Sequence, residues 1–490
     1  MSDFTTLKSL KIPEGVVTQI TDEIGAVIWV KGNDPAILEV EKIISDTYAG
    51  GRTYPNEEFI LLDIYPKNAN SNVTVTYCGV SKTLEFTGTN AKTVYFGTFN
   101  GVPDKEETPA SGTLTIEGGY NGFAVGTYKT YNSAQSKQET KYCSCVKEIV
   151  DFGNVGIIPN HAFYACTSIT NITIPDSVTS ISDYAFYECS SLSSVVIGDS
   201  VTSIGHSAFS GCDNLSSVVI GDSVTSISDF AFYSCDALTS ISLPNSVTSI
   251  GKLVFYGCTD YTKNIYITDI AAWCNISFND DYSTPMRPGD KLYINGELLT
   301  ELIIPDSVTS ISDYAFYNCL SLKSLTISGN VDSIGIGAFK NCKNVESLNI
   351  HEGVTSIGDS AFAYLGVSDY YEKLRTISIP NSVKTIGASA FYRCFREENL
   401  GGDDFYTITI GSGITSIGEQ AFTAFDDDCN IVMLANTPPE IVEASTFGKE
   451  SGYGYLNGNV EKIIVPSGCG AAYRAATGWS YYSNYIVEAS

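Results

Sequence analysis

The sequence predicts a mainly β protein, in which a small β-sandwich module is followed by a solenoid of repeats, each with one β-strand and one short helical turn. Two patterns in the 490 residues carry this prediction: a phenylalanine that returns at 23-residue spacing, and apolar and polar residues that alternate with period two. Short alternating segments also precede the repeats, and turn residues such as glycine separate them.

The first 148 residues lack the repeat. Residues 1–36 are expected to form a strand pair from two short apolar-containing segments, 7–13 and 17–22. Residues 37–135 are expected to form an immunoglobulin-like β-sandwich, because several short alternating segments follow one another there. Residues 136–148 continue a stretch rich in Lys, Gln, Ser and Thr and are predicted to be a linker.

The repeat occupies residues 149–436, and one unit runs from Ile174 to Val196. The alternation of Val195 and Ile197 predicts a strand with one buried face. Asp183 to Phe186 is expected to form one turn of helix, and Gly205, which follows the repeat's isoleucine, to have a positive φ. No unit can bury its own apolar side chains, so stacked units bury them against each other. The repeated phenylalanines are Phe163, Phe186, Phe209, Phe232, Phe255, Phe316, Phe339, Phe362, Phe391 and Phe422.

Eight of the fourteen cysteines hold a single position of this repeat. A free cysteine packs as a small apolar residue, and no His or carboxylate partner recurs at matching spacing. We therefore predict buried free thiols, neither disulfides nor a metal site. The eight are Cys166, Cys189, Cys212, Cys235, Cys258, Cys319, Cys342 and Cys394.

The unit that begins IPDSVTSISDYAFYECSSLSSVVI closely resembles the BspA-like class of leucine-rich repeats, over residues 150–440. The resemblance implies a surface-exposed binding or adhesion protein, mostly without enzymatic activity. Extra residues within 259–303 are similar to insertions found within such arrays. The N-terminal quarter resembles structural proteins of phages and prophages from gut bacteria.

Residues 437–490 are predicted to end the array with a degenerate eleventh repeat at Phe447 and a C-terminal cap. Ser467 is expected to N-cap a short helix that has Ala471, Ala472, Tyr473 and Ala476 on its buried side. Trp479 would then cover the open end of the core. Since Phe447 lies near this end, we expect its truncation to destabilise the protein less than truncation of a central phenylalanine.

The composition offers little for catalysis. Only three histidines are present, expected to be solvated, and no nucleophile or phosphate-binding motif fits its required context. The net charge of −27 disfavours nucleic acid and anionic membrane surfaces, and no stretch is long and apolar enough to span a membrane. No cofactor or metal is predicted. Paired acids such as Asp280-Asp281 are expected to lie in solvated loops. Calcium binding there is left open, although no EF-hand spacing is present.

The outward surface of the strands remains as the predicted site. If Val195 and Ile197 point inward, Val196 points outward, and the equivalent positions form an uncharged row. We predict that this row binds a ligand, because repeated strand surfaces of solenoids are common binding surfaces; a plain surface of good strand formers is the alternative. The candidate residues are Thr173, Val196, Val219, Ser242, Thr326, Asn349, Ser378 and Thr409.

The sequence thus predicts a non-catalytic binding or adhesion protein whose partner is a protein or glycan on a cell or particle surface. Two alternatives remain open: a phage tail or fibre component that recognises a host, and a purely structural spacer. An extracellular surface or a virion is the expected location, and no signal peptide is visible in the chain. The oligomeric state is left open.

Overall fold

The computed structural model describes residues 17–21, 27–31, 36–41, 43–45, 57–77, 80–99, 102–103, 111–118, 120–125, 127–132, 137–142, 146–153, 155–258, 263–367, 374, 376–394, 406–423, 429–441, 446–447 and 460–490. The chain divides into two compact units, Met1–Leu238 and Thr239–Ser490. The helices in the described ranges are short: α-helices Ile270–Cys274 and Gly470–Ala475, and the 3-10 helix Trp479–Tyr482. None of the helices described is long and apolar enough to cross a membrane.

The N-terminal part of the first unit contains two antiparallel sheets. Val73, Val75 and Tyr77 are buried in the first sheet, and Leu62 and Ile64 in the second, so each sheet has one face in a core. An immunoglobulin-like arrangement of the two stays a prediction. In spatial order the first sheet contains Val146–Asp151, Ala36–Glu41, Ser111–Gly118, Asn72–Tyr77 and Val80–Glu85, and the second contains Tyr120–Val125, Glu57–Pro66, Lys92–Phe99 and Val102–Pro103, with Ile43–Ser45 also paired to Glu57–Pro66.

The strand pair expected within residues 1–36 consists of Val17–Thr21 and Val27–Lys31, which pair antiparallel. Its second strand therefore follows the segment 17–22, whereas the prediction placed the partner before it. The predicted partner, 7–13, lies outside the described residues.

The segment predicted as a linker contains strands. Lys137–Tyr142 pairs antiparallel with Thr127–Asn132. Val146–Asp151 joins the first sheet by pairing with Ala36–Glu41. Thr and Tyr favour extended backbone even in a polar stretch, so polarity alone was a poor guide to this segment.

The repeats of the first unit stack through two parallel ladders of strands. In Ser194–Ile197, Val195 and Ile197 are buried and Val196 is exposed, as the alternation predicts. Ser194 pairs with Ser217, one repeat further on. The longer strands are Asn171–Ile174, Ser194–Ile197 and Ser217–Val219, and the shorter ones are Ile157–Ile158, Ser180–Ile181, Ser203–Ile204 and Ser226–Ile227.

The segment predicted to be a helical turn is a hydrogen-bonded turn without helix, which corrects that part of the prediction. The backbone N–H of Tyr184 donates to the carbonyl of His206, and that of Glu188 to Ser210, at 2.9 and 2.8 Å. N–H groups used between repeats are not available for the i→i−4 bonds of a helix. Tyr184 and Glu188 both have a φ of 56°. The turns thus form a third ladder that joins one repeat to the next.

The phenylalanines form a continuous stack in the core of the first unit. The ring centroids of Phe186 and Phe209 are 5.1 Å apart, and those of Phe209 and Phe232 are 5.3 Å apart, with planes within 7°. All three rings are fully buried. Such a stack at the ladder spacing is what the 23-residue recurrence requires.

Gly205 does not have the positive φ expected for it. A Cβ at this position would lie 2.5 Å from the carbonyl carbon of Ser182 in the preceding repeat. The glycine therefore permits close approach of two backbones, a role that sequence alone does not distinguish from a left-handed turn.

The second unit contains the same two kinds of strand. Its phenylalanines also stack, with Phe316 and Phe339 5.2 Å apart and parallel. The longer strands are Ser240–Ser242, Asn264–Ile267, Lys291–Ile294, Glu301–Ile303, Ser324–Ile327, Ser347–Ile350, Thr376–Ile379, Tyr406–Ile410, Cys429–Met433, Val460–Val465 and Ile486–Glu488, with Glu297–Leu298 antiparallel to Lys291–Ile294. The shorter strands are Ser249–Ile250, Ser277–Phe278, Ser310–Ile311, Ser333–Ile334, Ser356–Ile357, Thr385–Ile386, Ser416–Ile417 and Glu440–Ile441.

The region predicted as an insert, 259–303, continues the solenoid. Asn264–Ile267 pairs in parallel with Ser240–Ser242 on one side and with Lys291–Ile294 on the other. The prediction overlooked these coils because they carry no repeat phenylalanine. A buried tryptophan, Trp273, stands in this region and donates its indole N–H to the Ala315 carbonyl at 2.8 Å.

A buried ion pair closes one loop of this region. Lys263 Nζ lies 2.9 Å from Asp290 Oδ2, and both side chains are almost fully buried. The ammonium also donates to the Cys258 carbonyl at 3.1 Å. The carboxylate accepts the backbone N–H groups of Lys263 and Arg287, each at 2.8 Å. Because both charges are paired and hydrogen-bonded, burial is tolerated here.

The C-terminal segment caps the second unit. Phe447 stacks on Phe422 at 5.7 Å, as the eleventh degenerate repeat requires, and buried Trp479 packs against it at 5.6 Å. The helix Gly470–Ala475 has Cys469 at its N-cap with no side-chain cap, so the expected Ser467 cap is wrong.

The buried side expected for this helix is confirmed only at Tyr473, which is buried and whose hydroxyl donates to the Ala435 carbonyl at 2.7 Å. Ala471 and Ala472 are exposed and Ala476 is half-buried, so these three alanines were wrongly expected to be buried. A six-residue helix has room for a single large anchor, and the aromatic ring buries far more apolar surface than an alanine methyl.

Candidate binding surfaces

The outward row of the first unit lies where the sequence predicts it. Thr173 pairs with Val196, and Val196 with Val219, so the three stand side by side on adjacent strands. All three are exposed, Val196 by 43% and Val219 by 50%. Exposed valines in register at adjacent rungs form a continuous apolar strip.

The row continues on the strands of the second unit. Ser242, Asn349 and Ser378 are exposed, and Thr326 and Thr409 are half-buried. Pairing brings Thr326 beside Asn349, and Ser378 beside Thr409. The structure therefore places every predicted residue on the outward side of a strand, although it does not test whether they bind anything.

The structure adds outward residues that the sequence reasoning missed. Tyr266 pairs with Ser242, and its ring stacks on that of Tyr293 at 5.1 Å. Ile303 is 70% exposed and pairs with Thr326. These positions all lie within residues 259–303, which the sequence analysis treated as an insert. The alternation in NIYI, KLYI and ELII was the signal that could have identified them.

This outward row, defined as the positions equivalent to Val196 on the longer strands, is uncharged throughout the strands described. Carboxylates lie instead in the turns beside it: Asp176, Asp199 and Asp222 are exposed. Asp176 accepts the backbone N–H of Asp199 at 3.0 Å, and Asp199 accepts that of Asp222 at 3.3 Å. The turn acids thus have a structural role between repeats, while the row itself offers hydroxyl, amide, aliphatic and tyrosine side chains.

The cysteine column has the environment of a core and not of a reactive site. Five thiols of the column donate to a phenylalanine carbonyl of the preceding repeat, as Cys189 Sγ does to Phe163 at 3.1 Å and Cys212 Sγ to Phe186 at 3.3 Å; the other three are Cys235, Cys342 and Cys394. Burial raises the pKa of Cys189 to about 12. A thiolate, the nucleophilic form, is therefore strongly disfavoured at neutral pH.

Two of the histidines make aromatic contacts, whereas the sequence analysis expected all three to be solvated. The ring of His161 stacks on Tyr184 at 5.1 Å, and His206 makes an edge contact with the same tyrosine at 5.3 Å. Burial lowers the pKa of His161, against the opposing influence of Asp183. His351 is exposed, and its Nε2 lies 2.9 Å from Asn349 Nδ2.

The acidic loops show no metal-binding geometry in the parts of them that are described. Asp280 accepts hydrogen bonds from Tyr282 N and Ser283 Oγ within its own turn. The pairs at 403–404 and 426–428 lie outside the described residues. Across the described chain, no cluster of three or more His, Cys, Asp or Glu could hold a metal ion.

Stacked parallel strands, a repeated core of Ile, Leu and Phe, and an outward strand row define the class as a leucine-rich-repeat solenoid. The family model for the BspA type leucine rich repeat region matches residues 141–283, 289–427 and 368–449, in six copies. The chain therefore belongs to the family of BspA type leucine-rich-repeat proteins.

The chain is also similar to solved structures. A leucine rich cell surface protein from Faecalibacterium prausnitzii A2-165 is 24% identical, with 61% of this chain and 90% of that chain covered and a TM-score of 0.33. A leucine-rich repeat protein from Bacteroides ovatus ATCC 8483 is 21% identical, with 65% and 98% covered and a TM-score of 0.30. The pneumococcal vaccine antigen PcpA is 18% identical, with 70% and 83% covered and a TM-score of 0.38. No curated protein matches the chain significantly.

Proposed function

We propose that this chain is a non-catalytic binding or adhesion protein that recognises a protein or glycan on a cell or particle surface through the outward row. One observation carries the proposal: the row is exposed and uncharged in a chain whose net charge is −27. No position of the row itself is charged, so a partner can cover this strip without stripping water from a charge.

The side chains of the row suit contact with a macromolecule. Ile303 is 70% exposed and Val219 is 50% exposed. Complete burial of such a side chain by a partner contributes about 1.5–3 kcal/mol to the free energy of binding. Hydroxyls at Thr173 and Ser378 supply directional hydrogen bonds between these apolar positions. The only side chains of the row that can ionise are tyrosines, and they do so only at alkaline pH. Binding to the row therefore depends little on pH near neutrality and only modestly on salt.

The proposed location follows from this activity. A chain that attaches to another surface acts outside the cytoplasm, on a cell envelope or on a particle. The similar leucine rich protein of Faecalibacterium prausnitzii is itself described as a cell surface protein. The resemblance of the N-terminal quarter to phage structural proteins stays a prediction, and recovery of the chain from purified virions or from cell envelopes decides between the two locations.

The test compares two triple variants of the full chain, fluorescently labelled and applied to a glycan array and to a panel of purified extracellular-matrix glycoproteins. The strip variant carries Thr173→Lys, Val196→Lys and Val219→Lys, which places charge in the middle of the row. The control carries Lys at three turn serines of the same repeats, Ser177, Ser200 and Ser223. Both variants add the same charge to surface positions of three adjacent repeats; of the control positions, Ser177 and Ser223 are exposed and Ser200 is half-buried.

We expect wild-type chain and control to bind the same array member with affinities within about threefold of each other, and the strip variant to lose about a hundredfold or more. Loss in the control with retention in the strip variant would move the site to the turn edge. Failure of the wild type to bind any member of either panel would contradict the proposal and favour the structural spacer.

A further inference from the structure

The turns of the first unit carry a column of tyrosines in which one member is missing. The residue after the repeat phenylalanine is Tyr164, Tyr187 and Tyr233 in three repeats, and Ser210 in the repeat between the last two. Where two of these tyrosines are adjacent, they stack: the rings of Tyr164 and Tyr187 are 5.0 Å apart and 18° from parallel. Ser210 therefore leaves an open place in a stack of rings.

The two tyrosines that flank the open place have equivalent orientations. Tyr187 contacts Tyr184 edge-on at 5.7 Å and 65°, and Tyr233 contacts Phe230 in the same way at 5.6 Å and 60°. They stand two repeats apart, and each repeat advances by about 4.8 Å, the spacing of hydrogen-bonded strands. Their rings thus enclose a slot about 10 Å wide between centroids.

The floor of the slot is small and its rim is acidic. Ser210 is followed by Gly211, which has a φ of +71°, and the slot has a volume of about 430 Å³. A Cβ at Gly211 would lie only 3.2 Å from Cγ of Glu188, so the glycine keeps the floor clear. The carboxylates of Glu188 and Asp213 line the same space, and no Lys or Arg is among its lining residues. Tyr187, Ser210, Gly211 and Tyr233 are called the tyrosine slot below.

The dimensions and charge of the tyrosine slot match a planar cation. A flat group halfway between the two rings would lie about 5 Å from each centroid, within the range of about 6 Å for cation–π attraction. A guanidinium group there could also donate two parallel hydrogen bonds to a carboxylate on the rim.

The second unit shows that guanidinium groups of this chain do contact pairs of tyrosines. Arg287 Cζ lies 5.1 Å from the ring of Tyr282 and 5.8 Å from that of Tyr256. Arg393 Cζ lies 5.6 Å from Tyr392 and 6.0 Å from Tyr364. In these two pairs the rings also contact each other, at 5.6 and 5.5 Å between centroids, whereas the tyrosine slot leaves room for a guanidinium between its rings.

We propose that the tyrosine slot is a binding site for an arginine side chain of a basic partner protein. The two rings hold the guanidinium between them, and Glu188 or Asp213 neutralises it. This site lies on the turns and is independent of the outward row of strands. The chain's net charge of −27 favours approach of such a partner and makes the interaction weaken with added salt.

The test measures small-molecule binding to the full chain by saturation-transfer NMR. The probes are N-acetyl-arginine amide, N-acetyl-lysine amide and methyl β-glucopyranoside. The key variant is Ser210→Tyr, which restores the missing ring and fills the slot. Three other repeats of this unit carry tyrosine at the same position, so the fold should accept it, and thermal denaturation confirms that it does. Asp199→Asn removes one turn carboxylate outside the slot and serves as the matched control.

We expect the arginine probe to bind saturably, the lysine probe several-fold more weakly, and the glucoside not at all. Ser210→Tyr should weaken arginine binding at least tenfold, whereas Asp199→Asn and the strip variant should leave it unchanged. Tyr187→Ala should also weaken it, which gives a second measurement if Ser210→Tyr fails to fold. The proposal is overturned by absence of arginine binding, by equal lysine binding, by arginine binding that survives in Ser210→Tyr, or by a glucoside signal that Ser210→Tyr removes.

Discussion

Truncation of one stacked phenylalanine gives a direct measure of how the repeats hold together. In Phe209→Ala the change removes a fully buried ring that lies 5.1 Å from Phe186 and 5.3 Å from Phe232. A Phe→Ala change in a core destabilises a protein by about 3–5 kcal/mol. The loss of two stacked ring contacts, each about 0.5–1.5 kcal/mol beyond the buried area, places Phe209 in the upper half of that range. We expect about 4–5 kcal/mol.

The matched control is Phe230→Ala, which deletes the same atoms from the turn surface. Phe230 is half-buried and makes edge contacts with His206 and Tyr233 at 5.4 and 5.6 Å. Both residues keep their backbone conformation when replaced by alanine, so the comparison isolates packing. We expect the control to lose about 1–1.5 kcal/mol, the value of one or two aromatic contacts.

The assay must be local, because a long repeat array does not always unfold as one unit. Hydrogen exchange followed by mass spectrometry reports amide opening in peptides from each repeat. A loss of 4 kcal/mol corresponds to about a thousandfold faster exchange in the peptides around residue 209, with a smaller change in distant repeats. A loss below about 1.5 kcal/mol, or one equal to that of Phe230→Ala, would refute the stacking argument.

Three further predictions concern buried polar groups. With Ellman's reagent at pH 8, we expect Cys469 to react before the ten buried described thiols, and most of the fourteen cysteines to react in denaturant without reductant. Because burial raises the pKa of thiols such as Cys189, to about 12, the stability they contribute is complete below about pH 8.5, where unfolded thiols ionise, and is lost as the pH rises towards 12. We also expect Asp290→Ala to destabilise the second unit by about 3–5 kcal/mol in urea unfolding, because it leaves the Lys263 ammonium buried and unpaired. Lys263→Met should cost less, since Asp290 keeps its two backbone N–H donors.

Each of these has a clear contrary result. Recovery of only a few reactive thiols from the unfolded, unreduced chain would show that the cysteines are disulfide-bonded. Rising stability between pH 9 and 11 would contradict the direction of the thiol pKa shifts. A larger loss for Lys263→Met than for Asp290→Ala would mean that the carboxylate, and not the ammonium, depends most on the pair.

The repeat core was predictable because the same apolar residue type recurs at each buried position of the repeat. Phe186, Cys189 and Ile181 recur at fixed positions and are all buried, and the alternation about Val196 correctly gives its exposed side. A period of 23 residues determines which residues become neighbours once the repeats stack, so the contacts follow from the spacing alone. Phe447 is buried too, and Trp479, which belongs to no column, packs against it; the smaller loss expected on truncation of Phe447 stays a prediction.

The parts that the sequence did not reveal lack this redundancy. The coils within 259–303 have no phenylalanine at the column position, so in the sequence this region looks like an insert. The cap helix is held by Tyr473 and has no side-chain N-cap, so capping rules misplace it. The tyrosine slot was missed for the opposite reason: Ser210 looks like an ordinary variation in a column, and only the ring positions on both sides show that it leaves a space.

The hydrogen-bond ladder through the turns also allows the number of repeats to change during evolution. Each repeat gives its neighbour the same set of bonds, so an in-frame deletion of the segment coding for residues 197–219 would leave every remaining unit with chemically equivalent neighbours. The shortened array should still fold. Yet Tyr187 would then stand directly beside Tyr233, as Tyr164 now stands beside Tyr187, and the space above Ser210 would no longer exist. Recombination between repeats could therefore gain or lose a recognition site in one step, without passing through an unstable intermediate.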